Sequence, residues 1–164
     1  MVKQMPLSFE SKICHPPDLA NRLQRVPRPL VFTNGVFDVL HLGHVTYLAQ
    51  AREMGNSLLV ALNSDASVKR LGKGDDRPLN SIEDRLAVVA ALGCVDLVTW
   101  FAEDTPLNLI LASRPDVLIK GGDWPVEQIV GGKEVMSWGG SVHSITFRHQ
   151  RSTTKLIKRI RDQE

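Results

Sequence analysis

The sequence predicts an α/β fold: a three-layer α/β/α sandwich around a five-stranded, mainly parallel sheet. Three observations predict it. From residue 29 onward, short runs that are apolar on both faces alternate with segments of helical spacing, the pattern of a parallel sheet covered by helices on both sides. The runs are short, and the first ends at Asn34-Gly35, as a buried strand does. The polar clusters fall just after the runs, at 34–44, 63–65, 120–123 and 148–154, and ligands of open α/β sheets bind outside the carboxyl ends of their strands.

Residues 1–28 read as an N-terminal surface arm with one short helix. It holds Pro16-Pro17, an amphipathic stretch from Asp18 to Leu23, and Pro27. Residues 29–164 read as the single main domain. Leu30-Val31-Phe32 is the first strand, ending at Asn34-Gly35. His44 to Met54 has helical spacing through Val45, Leu48, Ala49 and Arg52 and stops at Gly55-Asn56, a C-terminal signal. Ser57 to Leu62 is the second strand, and Asp65 to Leu71 a short helix. A polar loop, 72–78, precedes a strong helix from Ser81 to Leu92, with Ser81 and Asp84 in a capping arrangement. Val95 to Trp100 is the third strand, followed by a helix over Pro106 to Ser113 with Thr105 as its N-cap. Val117 to Ile119 is the fourth strand, Lys133 to Trp138 a short helix, and Ser141 to Phe147 the fifth strand. A last helix starts at about Thr153.

Composition narrows the class. The chain has 164 residues, 43% of them apolar and 23% charged, with a net charge of +2. That length buries on the order of 70% of the unfolded chain's surface. So small a net charge does not predict a nucleic-acid-coating surface. Cys14 and Cys94 have no metal-ligand spacing, and Cys94 reads as a buried small hydrophobe. Met1 to Glu10 lacks the apolar core of a signal peptide, and no segment approaches 18 uninterrupted apolar residues. A soluble, cytoplasmic protein with neither nucleic acid nor membrane as partner is expected.

Three segments carry chemistry. The first is Asn34-Gly35-Val36-Phe37-Asp38-Val39-Leu40-His41-Leu42-Gly43-His44, between a strand end and a helix start. Backbone N–H groups and the helix dipole there suit an anion. Gly43 lets a ligand approach closely, and two imidazoles can stabilise charge in phosphoryl-group transfer. Either histidine alone reads more readily as a loop residue or a cap; the pair at this spacing favours the phosphate. A zinc site lacks a third ligand. The second segment is Arg151-Ser152-Thr153-Thr154 at the start of the last helix. It reads either as plain capping or as a second anion site. The third is Lys120-Gly121-Gly122-Asp123-Trp124 at a strand end, either a turn with a surface lysine or a cation reaching a phosphate. Lys73 and Arg77, on the polar loop, either close over a phosphate or are solvated. No GxGxxG, GxxxxGK[ST] or GxSxG is present.

Gly35-Val36-Phe37-Asp38 with His41-Leu42-Gly43-His44 resembles the GxFDxxHxGH signature of the cytidylyltransferase-like nucleotidyltransferases. Ser152-Thr153-Thr154 resembles their second signature. The resemblance implies a Rossmann-like HxGH nucleotidyltransferase fold. Thr33 to His41, Asn63 to Lys69, Glu103 to Pro106 and Asp116 to Asp123 are similar, more narrowly, to the heptose 1-phosphate adenylyltransferases of that family. That likeness runs over residues 20–163, with no kinase half, as in their stand-alone forms.

It implies transfer of an adenylyl group from ATP, with Mg²⁺, to D-glycero-β-D-manno-heptose 1-phosphate. The products are ADP-heptose, for the lipopolysaccharide inner core, and pyrophosphate. His41 and His44 are implied as catalytic. Val36, Phe37, Gly43, Lys73, Arg77, Arg85, Lys120, Gly122, Asp123, Ser152, Thr153 and Thr154 are implied as nucleotide-binding, and Asn34 and Asp38 as sugar-phosphate-binding. No metal cage of protein ligands is implied, and a homodimer is common in the superfamily. Related glycerol-phosphate cytidylyltransferases carry an arginine five residues before the Ser of the second signature, where Phe147 stands here beside Arg148. The alternatives are a glycerol- or ethanolamine-phosphate cytidylyltransferase and a catalytically silent nucleotide-binding module.

Overall fold

The chain starts its sheet in the middle. In a computed structural model, which describes residues 7–72, 74, 76–147 and 153–162, β1 (Leu30–Gly35) lies between β2 (Ser57–Asn63) and β4 (Val117–Gly121). β3 (Leu97–Phe101) flanks β2 and β5 (Ser141–Ile145) flanks β4, giving the order β3-β2-β1-β4-β5 with every pairing parallel. Phe32 registers with Leu59 on one side and Leu118 on the other. The connections reverse direction at β1, so the carboxyl ends of β1 and β4 splay around a switch-point crevice.

Alternation along each strand explains the two cores. Successive side chains point to opposite faces. Val31, Leu58, Val60, Leu62, Val98 and Ile119 pack on one face, under α2 (Leu42–Arg52) and α4 (Ile82–Ala90). Tyr47, Leu48, Leu86 and Val89 come from those helices. Leu30, Phe32, Leu59, Ala61, Leu97 and Leu118 pack on the other face. It is covered by α1 (Leu19–Leu23), α5 (Leu107–Ser113) and α6 (Gly132–Ser137), through Leu19, Ile110 and Val135. The short α3 (Asp65–Arg70) follows β2, and α7 (Thr153–Arg161) ends the chain.

Each of the five expected strands is present, with ends shifted by one to three residues. Ser81 caps α4 by accepting from the Asp84 N–H at 3.3 Å. α5 begins after Pro106, with no side-chain cap from Thr105. α2 begins two residues earlier than the periodicity indicates, because His41 itself is the N-cap. The leader departs most from expectation. Cys14 N–H donates to the Val98 carbonyl at 2.8 Å, Ile13 bridges Val98, and Leu19 is buried in the core. What reads as a surface arm therefore packs in part along the outer edge of β3, a position that only long-range pairing reveals. Cys14 is the buried thiol and Cys94 is half-buried, again because the leader covers the former. Among the described residues, no helix is long and apolar enough to cross a membrane.

Candidate active site

The backbone turns sharply after β1. Phe37 sits at φ 47°, in the left-handed region, a costly conformation for a residue with a Cβ. Its buried ring anchors the turn in the core. The turn's other anchor is Arg85. This guanidinium is buried, and it donates to the carbonyls of Val36 (2.8 Å), Asn63 (2.9 Å) and Asn80 (3.1 Å) and to Asp65 Oδ1 (2.6 Å). One side chain thus ties the loops after β1 and β2 to the start of α4. Asp38 completes the arrangement. Its carboxylate accepts from the Leu79 and Asn80 N–H groups and pairs with the buried Arg77 at 2.7 Å.

These contacts turn three residues of the sequence reading inward. Asp38, expected at the sugar phosphate, has a fully buried side chain and holds the 77–80 segment instead. Arg77 and Arg85, expected on the nucleotide, are inward-facing braces. A carboxylate and an arginine that read as ligand groups in sequence find each other when the polar loop folds back.

The two histidines meet face to face. His41 and His44 stack with centroids 3.9 Å apart and planes 20° off parallel. His41 Nδ1 accepts the Gly43 N–H at 3.1 Å, so a neutral His41 carries its proton on Nε2. His44 is lined by the Phe37 ring at 5.4 Å and the Phe147 ring at 6.5 Å, both edge-on. Burial, reinforced by the neighbouring His41, pushes the His44 pKa down from 6.5 to about 4. Its Nδ1 is buried with no hydrogen-bond partner, a costly state for a polar atom that structural roles rarely leave in place. Beneath it, Tyr47 shares a 2.5 Å hydrogen bond with Thr33 and touches Phe147.

The last helix reaches the same loop. Thr153 Oγ1 donates to the Val39 carbonyl at 3.0 Å, bringing the start of α7 against the segment that carries the histidines. Thr154 is exposed beside it. Lys73 and Ser152 lie outside the described residues. On the other side of the β1 turn is a cavity of about 350 Å³. Asn34, Gly35, Val36 and Asn63 wall it from the ends of β1 and β2, and Lys120 from the end of β4. Gly121 and Gly122 follow. A Cβ on Gly121 would stand 2.8 Å from the Phe147 ring and 3.2 Å from that of Tyr47. Asp123 is exposed next to them.

The structure thus gathers Phe37, His41, Gly43, His44 and Thr153 on one side of the β1 turn and Asn34, Val36 and Lys120 around the cavity on the other, with Gly122 and Asp123 following the end of β4 and Thr154 following Thr153. It adds residues the sequence reading did not assign. Phe147, at the end of the fifth expected strand, stands where relatives carry an arginine. Trp124 was visible at the end of the Lys-Gly-Gly-Asp run but had no role. Asn63 was visible after a strand and in a segment similar to the family, without a role of its own. Among the described residues there is no group of three or more His, Cys, Asp or Glu arranged to hold a metal.

Comparison with known proteins agrees with this geometry. A family model described as cytidylyltransferase-like matches residues 32–159. A D-beta-D-heptose 1-phosphate adenylyltransferase of Bordetella bronchiseptica is 56% identical over 93% of this chain and 96% of its own length. The bifunctional protein HldE of Pseudomonas syringae pv. syringae is 54% identical over 82% of this chain, which spans 28% of that longer protein. Among solved structures, a lipopolysaccharide core biosynthesis protein from Thermoplasma volcanium superposes with a TM-score of 0.60 at 26% identity, covering 74% of this chain and 98% of its own. A pantoate-beta-alanine ligase from Francisella tularensis shares the fold alone, with a TM-score of 0.59 at 12% identity over 87% of this chain and 68% of its own.

Proposed function

Because the chain belongs to the cytidylyltransferase-like family, we propose that it is an adenylyltransferase joining ATP and D-glycero-β-D-manno-heptose 1-phosphate to give ADP-heptose and pyrophosphate. The observation that carries this reading is the stacked His41–His44 pair, with one buried unsatisfied nitrogen, on the loop to which the start of α7 is bonded through Thr153 and Val39. The 56% identity to a heptose 1-phosphate adenylyltransferase over almost all of both chains supports the substrate.

In this reading a sugar-phosphate oxygen attacks the α-phosphorus of ATP, and the bond to pyrophosphate breaks in line, with no covalent enzyme intermediate. Catalysis is then positioning and charge stabilisation. His41 offers Nε2–H to the α-phosphate, its Nδ1 being fixed by Gly43. His44 adds a second donor from a desolvated position, where a hydrogen bond to developing charge is strongest. Thr153, Thr154 and Ser152 hold the outer phosphates at the helix start. The backbone at Val36, Phe37 and Gly122, with Asp123, borders the nucleotide. Lys73, of the polar 72–78 stretch, is assigned to the phosphates in the same reading. Asn34 meets the sugar phosphate from the cavity side, and Lys120, on the same wall, meets the nucleotide phosphates. Arg77, Arg85 and Asp38 support these groups from behind. Of the groups named at the crevice only Asp123 is a carboxylate, and one carboxylate does not make a cage for a hard cation. Mg²⁺ accordingly enters as part of the substrate, MgATP. A cytoplasmic homodimer belongs to the same proposal, and light scattering of the purified protein tests its stoichiometry.

Pyrophosphate release is the direct test. ATP with the β-heptose 1-phosphate should give rapid release, stopped by EDTA and restored by excess Mg²⁺. Faster release with CTP than with ATP would replace this reading with a cytidylyltransferase. Binding of ATP without release, whatever the sugar phosphate, would make the protein a silent nucleotide-binding module.

A further inference from the structure

The chemistry at phosphorus leaves Trp124 without a task. Its indole is 49% exposed and lines the 350 Å³ cavity. Its backbone is nonetheless fixed. The Trp124 N–H donates to Ser144 Oγ at 3.0 Å, and the same hydroxyl donates to the Gly122 carbonyl at 2.6 Å. Gly122 lies at φ +117°, and a Cβ there would stand 2.8 Å from Trp124 Nε1. The indole therefore lies against bare backbone, preset in position, with a large ring surface turned to an open cavity. Presetting a binding surface lowers the ordering cost when a ligand arrives.

The rest of the wall indicates what that ligand is. Asn34, Asn63, Thr105 and Gln128 supply amide and hydroxyl groups, while Leu71 and Val130 give apolar patches. A purine asks for apolar cover on both faces and few polar edges. A polyhydroxylated ring asks for side-chain amides and hydroxyls around its edge and one aromatic face under its C–H groups. Those four side chains and the Trp124 face meet the second demand, while Leu71, Pro106, Ile129 and Val130 make the rest of the wall mainly apolar. The histidines and the start of α7, which suit the triphosphate, are not part of the cavity wall.

We propose that Trp124 is the platform on which the sugar ring of the acceptor phosphate stacks, and that it sets preference for a cyclic sugar phosphate over a short acyclic one. This rests on the adenylyltransferase reading. Steady-state kinetics of Trp124→Ala should show KM for heptose 1-phosphate raised roughly tenfold, the loss of one aromatic contact, with KM for ATP and kcat little changed. Trp124→Phe should recover most of the loss. A rise in KM for ATP instead would place the base on the indole and overturn the proposal, as would unchanged KM for both substrates.

A second readout needs no turnover. Heptose 1-phosphate alone should produce a saturable change in tryptophan emission of the wild-type protein that is absent from Trp124→Phe. No change in the wild type, or the same change in both, would overturn the assignment. Wild-type protein that releases no pyrophosphate with any heptose phosphate would refute the activity, while the emission titration still decides the platform.

Discussion

His44 shows how folding prepares a side chain. The aromatic edges of Phe37 and Phe147 remove water from its ring, and the stacked His41 discourages a second positive charge. The imidazole is therefore neutral at pH 7, yet its buried Nδ1 has no partner. Replacing it with alanine should lower turnover by roughly 10²–10³-fold, the usual loss for one preorganised donor, while the thermal midpoint moves little. A large fall in midpoint with little loss of activity would make His44 a packing residue.

The same pKa dictates a pH dependence. The unfolded chain protonates this histidine near 6.5, the folded protein only near 4, so in between the unfolded state binds the extra proton. The stability that His44 contributes is thus complete above about pH 6.5 and is lost as pH falls toward 4. In His44→Gln, the decline in thermal midpoint between pH 7 and pH 5 should flatten. Phosphates arriving at the histidines reverse the bias, since anions favour imidazolium. ATP binding near pH 5.5 should take up protons, detected by calorimetry in buffers of different ionisation enthalpy. Equal heats in all buffers would exclude it.

At the scale of elements, the loops after β1 and β2 owe their shape to two inward arginines. Arg85 joins Val36, Asn63, Asp65 and the start of α4. Arg85→Met keeps much of the volume but leaves buried carbonyls unsatisfied, and should destabilise the fold by about 3 kcal/mol. Chemical denaturation measures this, and activity should fall with it because the Val36–Phe37 turn is released. If stability held while KM for ATP rose, Arg85 would be a nucleotide ligand after all. Gly121 couples β4 to the other wall. Gly121→Ala would push Phe147 or Tyr47 aside, at about 1–3 kcal/mol for overpacking, and should weaken turnover through the displaced His44 neighbour.

For the whole molecule, the parallel order β3-β2-β1-β4-β5 decides where chemistry happens. A chain that starts in the sheet's centre and doubles back opens a crevice at β1 and β4. The histidine loop, the start of α7 and the Lys120 strand end all reach it, although more than 100 residues separate the first from the second. The leader's bridge to Val98 covers the β3 edge, which otherwise would present unpaired backbone to another chain.

Much of this was written locally and so was legible in the sequence. Strand runs apolar on both faces, the glycines and prolines that end them, and Ser81 as a cap each depend on neighbours a few residues away. The His41-Leu42-Gly43-His44 and Ser-Thr-Thr motifs were legible as short local patterns, the first running into α2 and the second into α7 at Thr153. Charged residues were not. Asp38, Arg77 and Arg85 have the same letters whether they face a phosphate or one another, and only the folding of the 77–80 segment onto the β1 turn decided for one another. The leader's docking on β3, Phe147 against His44 and Trp124 over Gly122 also rest on contacts distant in sequence. Local spacing determined the sheet, its helices and the two motifs at helix starts. Tertiary structure decided which polar groups face the crevice, because a buried charge takes whichever partner the packed chain places within reach.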